Sequence, residues 1–439
     1  MTAEASSATG ERTQLKQGVG LSGVVMFGAG TAIGVSIFSV LQPAAQVAGS
    51  GLLLAVLLAA LPMVLFAICY AYLGSALPVS GASYEWPRRF IHPFVGFAIG
   101  WMRIIGNVGA LILLSQVMAN YLSMVVPVPA KPLMAVTLTL VFALNYRGVA
   151  VAARAQVTLM LMLLAVLATF VLTGLPAVEA QRIGAPTQMG WLAILAAVPL
   201  MASLFMGIES AVEIGEEIRH PGHNIPLGIT LAILLTAAVY LLVAFVALGL
   251  AGPARLAASD APLLDAARVS LGDLAVPLIV GAATVSILKT MNATAMVFSR
   301  SLFAMARNQA LPSALAAVHP RFGTPHLAIA TGYALAMAGL FLPSSILFLL
   351  LAVNIPTMLK YLACSLCAVR VARNHPELHA RAQFRPSPRI MQLAGCAAML
   401  GALTIILVGL EADWRPYLLV GGWLAIGCVY WLTRPVKAP

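Results

Sequence analysis

Nearly the whole chain divides into runs of about 20 apolar residues separated by short polar punctuation, the length an α-helix needs to cross the hydrocarbon core of a bilayer. The spans read in this way are 18–42, 50–77, 94–125, 132–146, 151–174, 191–214, 226–252, 274–299, 326–342, 345–370, 390–409 and 415–432. Hydrophobic residues fill 61% of the 439 positions and charged residues only 9%, against roughly 25% charged in soluble domains. A soluble fold is therefore excluded. Lipid offers no partner to backbone amides, so the expected fold class is all-α integral membrane, with about 12 transmembrane helices. Turn signals mark the connections: Pro78, Gly81 and Pro87 after the second span, Pro221, Gly222 and Pro226 after the sixth, Pro376, Pro386 and Pro388 after the tenth.

The formal charge of +11 would suit a nucleic-acid partner if the basic residues formed a patch, but they alternate with the spans. With the N-terminus inside, 17 of the 25 Lys and Arg fall on the cytoplasmic side, and only Lys131, Arg182, Arg255, Arg268 and Arg415 fall outside. This is the positive-inside pattern of a multi-pass protein of the cytoplasmic (inner) membrane with both termini cytoplasmic, and it gives no reason to expect nucleic acid. The first 17 residues are polar and lack a signal-peptide apolar region, so the first span is expected to act as the insertion signal. The five cysteines sit in apolar helix, and the seven histidines lie in connections or at helix ends. No metal-ligand spacing, nucleophile motif or phosphate loop occurs, so no enzyme activity, metal or cofactor is expected.

Two spans are unusual. The first carries Gly28, Gly30, Gly34 and Ser36 in FGAGTAIGVSIF, and the sixth carries Pro199, Gly207 and Glu209 in PLMASLFMGIESAVEIGEE. Interrupted helix is tolerated in a membrane where it is buried in protein or lines a cavity, and breaks at corresponding places in two halves point to a transporter binding site. Close packing of helices through glycine is the alternative use of these residues. Helices one and six lie five apart, which fits a repeat of five plus five with two additional helices. At such breaks free N–H groups suit a carboxylate and free carbonyls suit an ammonium. Ala32, Ile33, Gly34, Val35 and Ser36 are the expected carboxylate end of a substrate site, and Phe205, Met206 and Gly207 the amine end.

Ionisable groups inside a span are functional candidates because they are costly there. Glu209 lies near the middle of the sixth span and is the leading protonation site, with a structural ion pair as the competing role. Glu213 lies one turn nearer the cytoplasm, and Glu216 and Glu217 read as helix-end charges beside the loop. Lys289 is the lone charge between Asp273 and Arg300. It either substitutes for a bound cation or pairs with Glu209 or reaches an aqueous cavity. Lys360 and Arg103 read as nearer span ends, suited to snorkelling or helix pairing. Asn107 is suited to joining helices or to a substrate hydrogen bond.

Over roughly residues 15–375 the chain resembles the amino acid-polyamine-organocation transporter superfamily. The likeness rests on GAGTAIGVSIF at 28–38, YAYLGSALPVSGASYEWPRRFIHPFVGFAIGW at 70–101, NYRGVAVAARAQ at 145–156 and FMGIESAVEIGEEIRHPGHNIPLGI at 205–229, with a weaker match in SRSLFAMARNQALP at 299–312. The resemblance implies the inverted five-plus-five repeat, alternating access, and a substrate held between the broken first and sixth helices. It places Glu209 where the arginine/agmatine antiporters of the superfamily have a glutamate linked to proton sensing, and Asn107 where they have a pocket asparagine. Departures are Ser36 in place of a usual glycine, Ser203 in place of a gating tryptophan, and TLMLMLLAVL where some proton-coupled members have a fifth-helix lysine. Lys289 is a candidate to take over that duty.

The organisation implied is a cytoplasmic tail 1–17, a ten-helix transport core 18–370, a cytoplasmic loop 371–389, two additional helices in 390–432 and a tail 433–439. The expected function is secondary active transport of an amino acid or close derivative, sodium-independent, and proton-coupled or by exchange. An amine or polyamine transporter of the same fold and an amino-acid sensor without transport are the alternatives. The sequence leaves the oligomeric state open.

Overall fold

A computed structural model describes residues 15, 17–34, 36–123, 125, 127–259, 261–341, 346–412 and 414–434. The first span is in pieces, α1 (Leu21–Ala32), α2 (Ser36–Ser39) and α3 (Leu41–Ala48), followed by α4 (Leu52–Ala76), a short α5 (Ala82–Phe90) and α6 (Pro93–Ser123). Next come α7 (Ala130–Tyr146), α8 (Val149–Gly174), α9 (Ala180–Ile183) and α10 (Trp191–Ala202). After a stretch of 3₁₀ turns the chain continues as α11 (Pro221–Ala258), α12 (Pro262–Leu271), α13 (Ala275–Arg307), α14 (His326–Gly339) and α15 (Ile346–Asn374). It ends with α16 (Pro376–Arg381), α17 (Pro388–Ala412) and α18 (Arg415–Thr433).

The described residues contain no strand, only the isolated bridges Val19–Ile218 and Ser80–Ile214. Eight helical stretches among them are long and apolar enough to cross a membrane, and α1, α7 and α14 are apolar but shorter. The outer surface is apolar where a soluble helix would carry charge: Leu61, Leu140, Leu234, Leu393 and Leu400 are all more than half exposed. Charges turn inward instead, with Glu209, Glu217, Lys289, Arg300 and Lys360 all buried. This is the arrangement of a multi-pass membrane protein.

The last two long helices attach to one side of the bundle, α17 against α15 and α4, α18 against α15 and α6. The α18–α6 contact is fixed by Trp101 and Trp423. Their rings stack with centroids 4.9 Å apart, and each indole N–H donates to the other's backbone carbonyl, at 2.9 and 2.8 Å.

One connection differs from the sequence expectation, and the sixth span is interrupted. The connection between the second and third spans is helical, because Gly81 turns the chain at φ 65° and Glu85 then takes Arg88 and Arg89 one turn on. The sixth span leaves the α conformation after Ala202 and continues as 3₁₀ turns at Ser203–Phe205, Ile208–Glu213 and Gly215–Glu217. Both broken stretches touch through glycine. A Cβ on Gly28 would lie 2.6 Å from the Ile208 carbonyl oxygen, and Gly207, at φ 98°, would place one 2.5 Å from Cγ2 of Thr31. Gly207→Ala is expected to cost about 1–3 kcal/mol through the left-handed backbone alone. A detergent melt of the purified variant checks this, and an unchanged midpoint would contradict the left-handed turn at Gly207.

Candidate functional site

Where the two breaks meet, they open onto a cavity of about 280 Å³. Its wall takes Thr31 and Ala32 from α1, Met206, Gly207, Glu209 and Ser210 from the sixth-span turn, and Arg103, Gly106 and Asn107 from α6. Thr290 and Thr294 of α13 and Asn354, Thr357 and Lys360 of α15 close the other side.

The central interaction is an ion pair. Lys360 Nζ donates to Glu209 Oε1 at 2.6 Å, with both side chains almost fully buried. The ammonium also lies 4.5 Å from the centre of the Tyr361 ring, a cation–π distance. Tyr361 Oη accepts the N–H of Gly207 at 3.3 Å. The left-handed turn at Gly207 and the carboxylate two residues later are thus held by one helix, α15.

A second cation lies behind the wall. Lys289 is fully buried, and its ammonium donates to the carbonyls of Gly30 and Ile33, the groups left free where α1 stops. Ser286 adds a bond to Ile33 O at 3.1 Å, and Tyr240 donates to Ala32 O at 2.8 Å. A cation at the carbonyl end of a half-helix is the arrangement the helix dipole favours. The Glu209 alternative for Lys289 is not realised here, since Glu209 is bonded to Lys360.

Of the residues expected from sequence, Ala32, Asn107, Met206, Gly207 and Glu209 line the cavity. Ile33 and Lys289 are buried behind it, Gly34 sits against Thr290, and Phe205 packs on Tyr240. Val35 lies outside the described residues, as does the side chain of Ser36. Lys360 and Arg103 were underrated from sequence. Lys360 is at the midpoint of α15 and close to the middle of the expected 345–370 span as well, so its position alone singles it out.

Beyond the cavity the acidic stretch is a buried network, and this corrects the expectation of helix-end charges. Glu217 and Arg300 are both fully buried in a two-point pair, with N···O distances of 2.7 and 3.0 Å. Glu213 is buried too, accepting the N–H and hydroxyl of Ser83. Glu216 pairs with Arg307 at 2.7 Å. Burial opposes ionisation of Glu85 in α5, yet hydrogen bonds from Arg88 and Arg89 outweigh it and hold its carboxyl below the usual range. The described residues contain no cluster of His, Cys, Asp and Glu that could hold a metal ion.

The family model for amino acid permeases matches residues 23–423. The chain belongs to the amino acid permease family. An uncharacterized transporter of Mycobacterium tuberculosis is 34% identical over 314 residues, 71% of either chain. The methylthioribose transporter of Bacillus subtilis is 26% identical over 453 residues, covering 98% of this chain and 96% of that protein. The branched-chain amino acid permease BcaP of the same organism is 25% identical over 461 residues, with the same coverage. As a permease of this family the chain is a transporter of amino acid type.

Arg300→Met is expected to destabilise the fold by about 3–5 kcal/mol, because it strands a buried carboxylate. The double variant Glu217→Gln/Arg300→Met should recover a large part of that loss. Melts in detergent compare the two, and equal losses in both would show that the pair acts through packing rather than charge.

Proposed function

We propose that this chain is a secondary active transporter that carries an amino acid or close derivative across the cytoplasmic membrane by alternating access. Both termini are cytoplasmic in this reading, residues 18–370 form the transport core and 390–432 two additional helices. The observation that carries it is the Glu209–Lys360 pair, buried in the wall of a cavity bounded by both broken spans.

That pair suits coupling. A proton taken by Glu209 leaves the Lys360 ammonium buried without a counter-charge, which is costly. A solute carboxylate entering the cavity supplies that counter-charge. Proton and solute then favour each other's binding, the linkage a symporter needs. An exchanger follows from the same parts if the proton stays in place. Sodium independence is supported by Lys289, whose ammonium fills the freed carbonyls of α1 that would otherwise suit a sodium ion. An amine or polyamine cargo would have to take Glu209 from Lys360, so the cavity favours the amino acid. The relatives carry different solutes by name, which leaves the cargo to be read from this cavity.

Glu209→Gln is expected to abolish the pH dependence of uptake into proteoliposomes; full pH-dependent uptake by this variant would refute the coupling role. Wild-type uptake should be the same in sodium and in choline buffers. Lys289→Met should cut the rate at least about tenfold, equivalent to 1.4 kcal/mol, and an unchanged rate and pH profile would remove Lys289 from the mechanism.

A further inference from the structure

Once Glu209 and Lys360 are paired, four threonines and two residues of α6 are set apart from each other among the remaining polar groups of the cavity wall. Thr31, Thr290, Thr294 and Thr357 all donate to a backbone carbonyl one turn back on their own helix, at 2.8 to 2.9 Å, and ask nothing of a ligand. Arg103 and Asn107 are different. They lie four residues apart on α6 and so share a face. Asn107 is only 8% exposed, and its Nδ2 has no hydrogen-bond partner; Nε of Arg103, also buried, has none either. Both unsatisfied groups are donors, and each lines the cavity. A buried donor without a partner is costly, so the missing component is an acceptor.

Charge narrows that acceptor further. Among the described lining residues Arg103 and Lys360 are cationic and Glu209 is the one carboxylate, which leaves the wall with an excess of one positive charge. A zwitterion of no net charge leaves the excess uncompensated, and an amine increases it. A carboxylate offers two oxygens to the forked donors of a guanidinium and a third contact to an amide N–H₂.

We propose that the solute is a net anion, a small amino acid whose side chain ends in a carboxylate, with that group held by Arg103 and Asn107. The proposal rests on the transporter reading above and names its substrate class. Water in the cavity is the other partner open to these donors, and it would give no preference between an acid and its amide.

The test compares L-aspartate and L-glutamate with L-asparagine and L-glutamine, which match them in size and differ in charge. Apparent affinities come from thermal-stabilisation titrations of the purified protein, and movement from counterflow in proteoliposomes. The acids should bind at least about tenfold tighter than their amides. Arg103→Gln should bring the two to within about twofold, and Arg103→Lys should keep part of the preference. Asn107→Ala should weaken acid binding in the same direction, which keeps the proposal testable if Arg103→Gln fails to fold. Equal affinity for acids and amides in the natural protein, or a preference that survives Arg103→Gln, overturns the proposal. If neutral amino acids are carried as well as the acids, the amino-acid reading stands and this proposal falls. If no amino acid stabilises the protein or exchanges, both fall.

Discussion

Hydrocarbon supplies no hydrogen bonds, and the rest of this structure is arranged around that constraint. Two spans stop being α-helix in mid-course, and each stop frees backbone groups that protein must satisfy. For the first span the carbonyls of Gly30, Ala32 and Ile33 are taken by Lys289, Tyr240 and Ser286. For the sixth the N–H of Gly207 is taken by the hydroxyl of Tyr361. These partners come from α11, α13 and α15, so repairing two breaks fixes the positions of three further helices around them. The cavity is the space that this repair encloses.

The acidic stretch that follows the second break shows how the same segment is tied to its surroundings. Glu209 reaches α15, Glu213 reaches α5, and Glu216 and Glu217 both reach α13. The backbone joins in, with the N–H groups of Gly18 and Val19 donating to the Glu217 carbonyl and Gly81 N–H to that of Glu213. A run of non-α backbone has little internal stability of its own, and these external bonds hold it in place. Three of these carboxylates are paired with cations, and Glu213 is held by the N–H and hydroxyl of Ser83.

The apolar spans were legible in the sequence because length and hydropathy alone define them, and the expected limits of α4, α6, α7, α8 and α18 lie within a few residues of those observed. The glycine-rich breaks were legible as well, and the close packing that is the other use of glycine is realised beside them at Gly28 and Gly207. What the sequence hid was pairing. Glu217 and Arg300 are 83 positions apart and Glu209 and Lys360 are 151 apart. A charge next to a loop reads as solvated until the fold supplies its partner. Lys360 stands near the middle of its expected span as well, and what hid its role was the missing partner, since an isolated lysine reads as snorkelling until Glu209 is brought to it. The end of α-helix at Ala202 falls between Pro199 and Gly207, two of the residues that marked this span as interrupted.

The seating of Lys289 has an electrical consequence. An ion that came and went from those carbonyls would travel with the solute, add its own charge to each turnover and lend the membrane its concentration gradient as a driving force. An ammonium on a side chain is anchored by a covalent stem. It contributes the same local field in every conformation that keeps the contact, and no current. On the proposed reading, in which Lys289 stands in for a bound ion, the charge moved per cycle is the sum of whatever occupies the cavity and any proton that accompanies it, and the voltage sensitivity is set by the cargo.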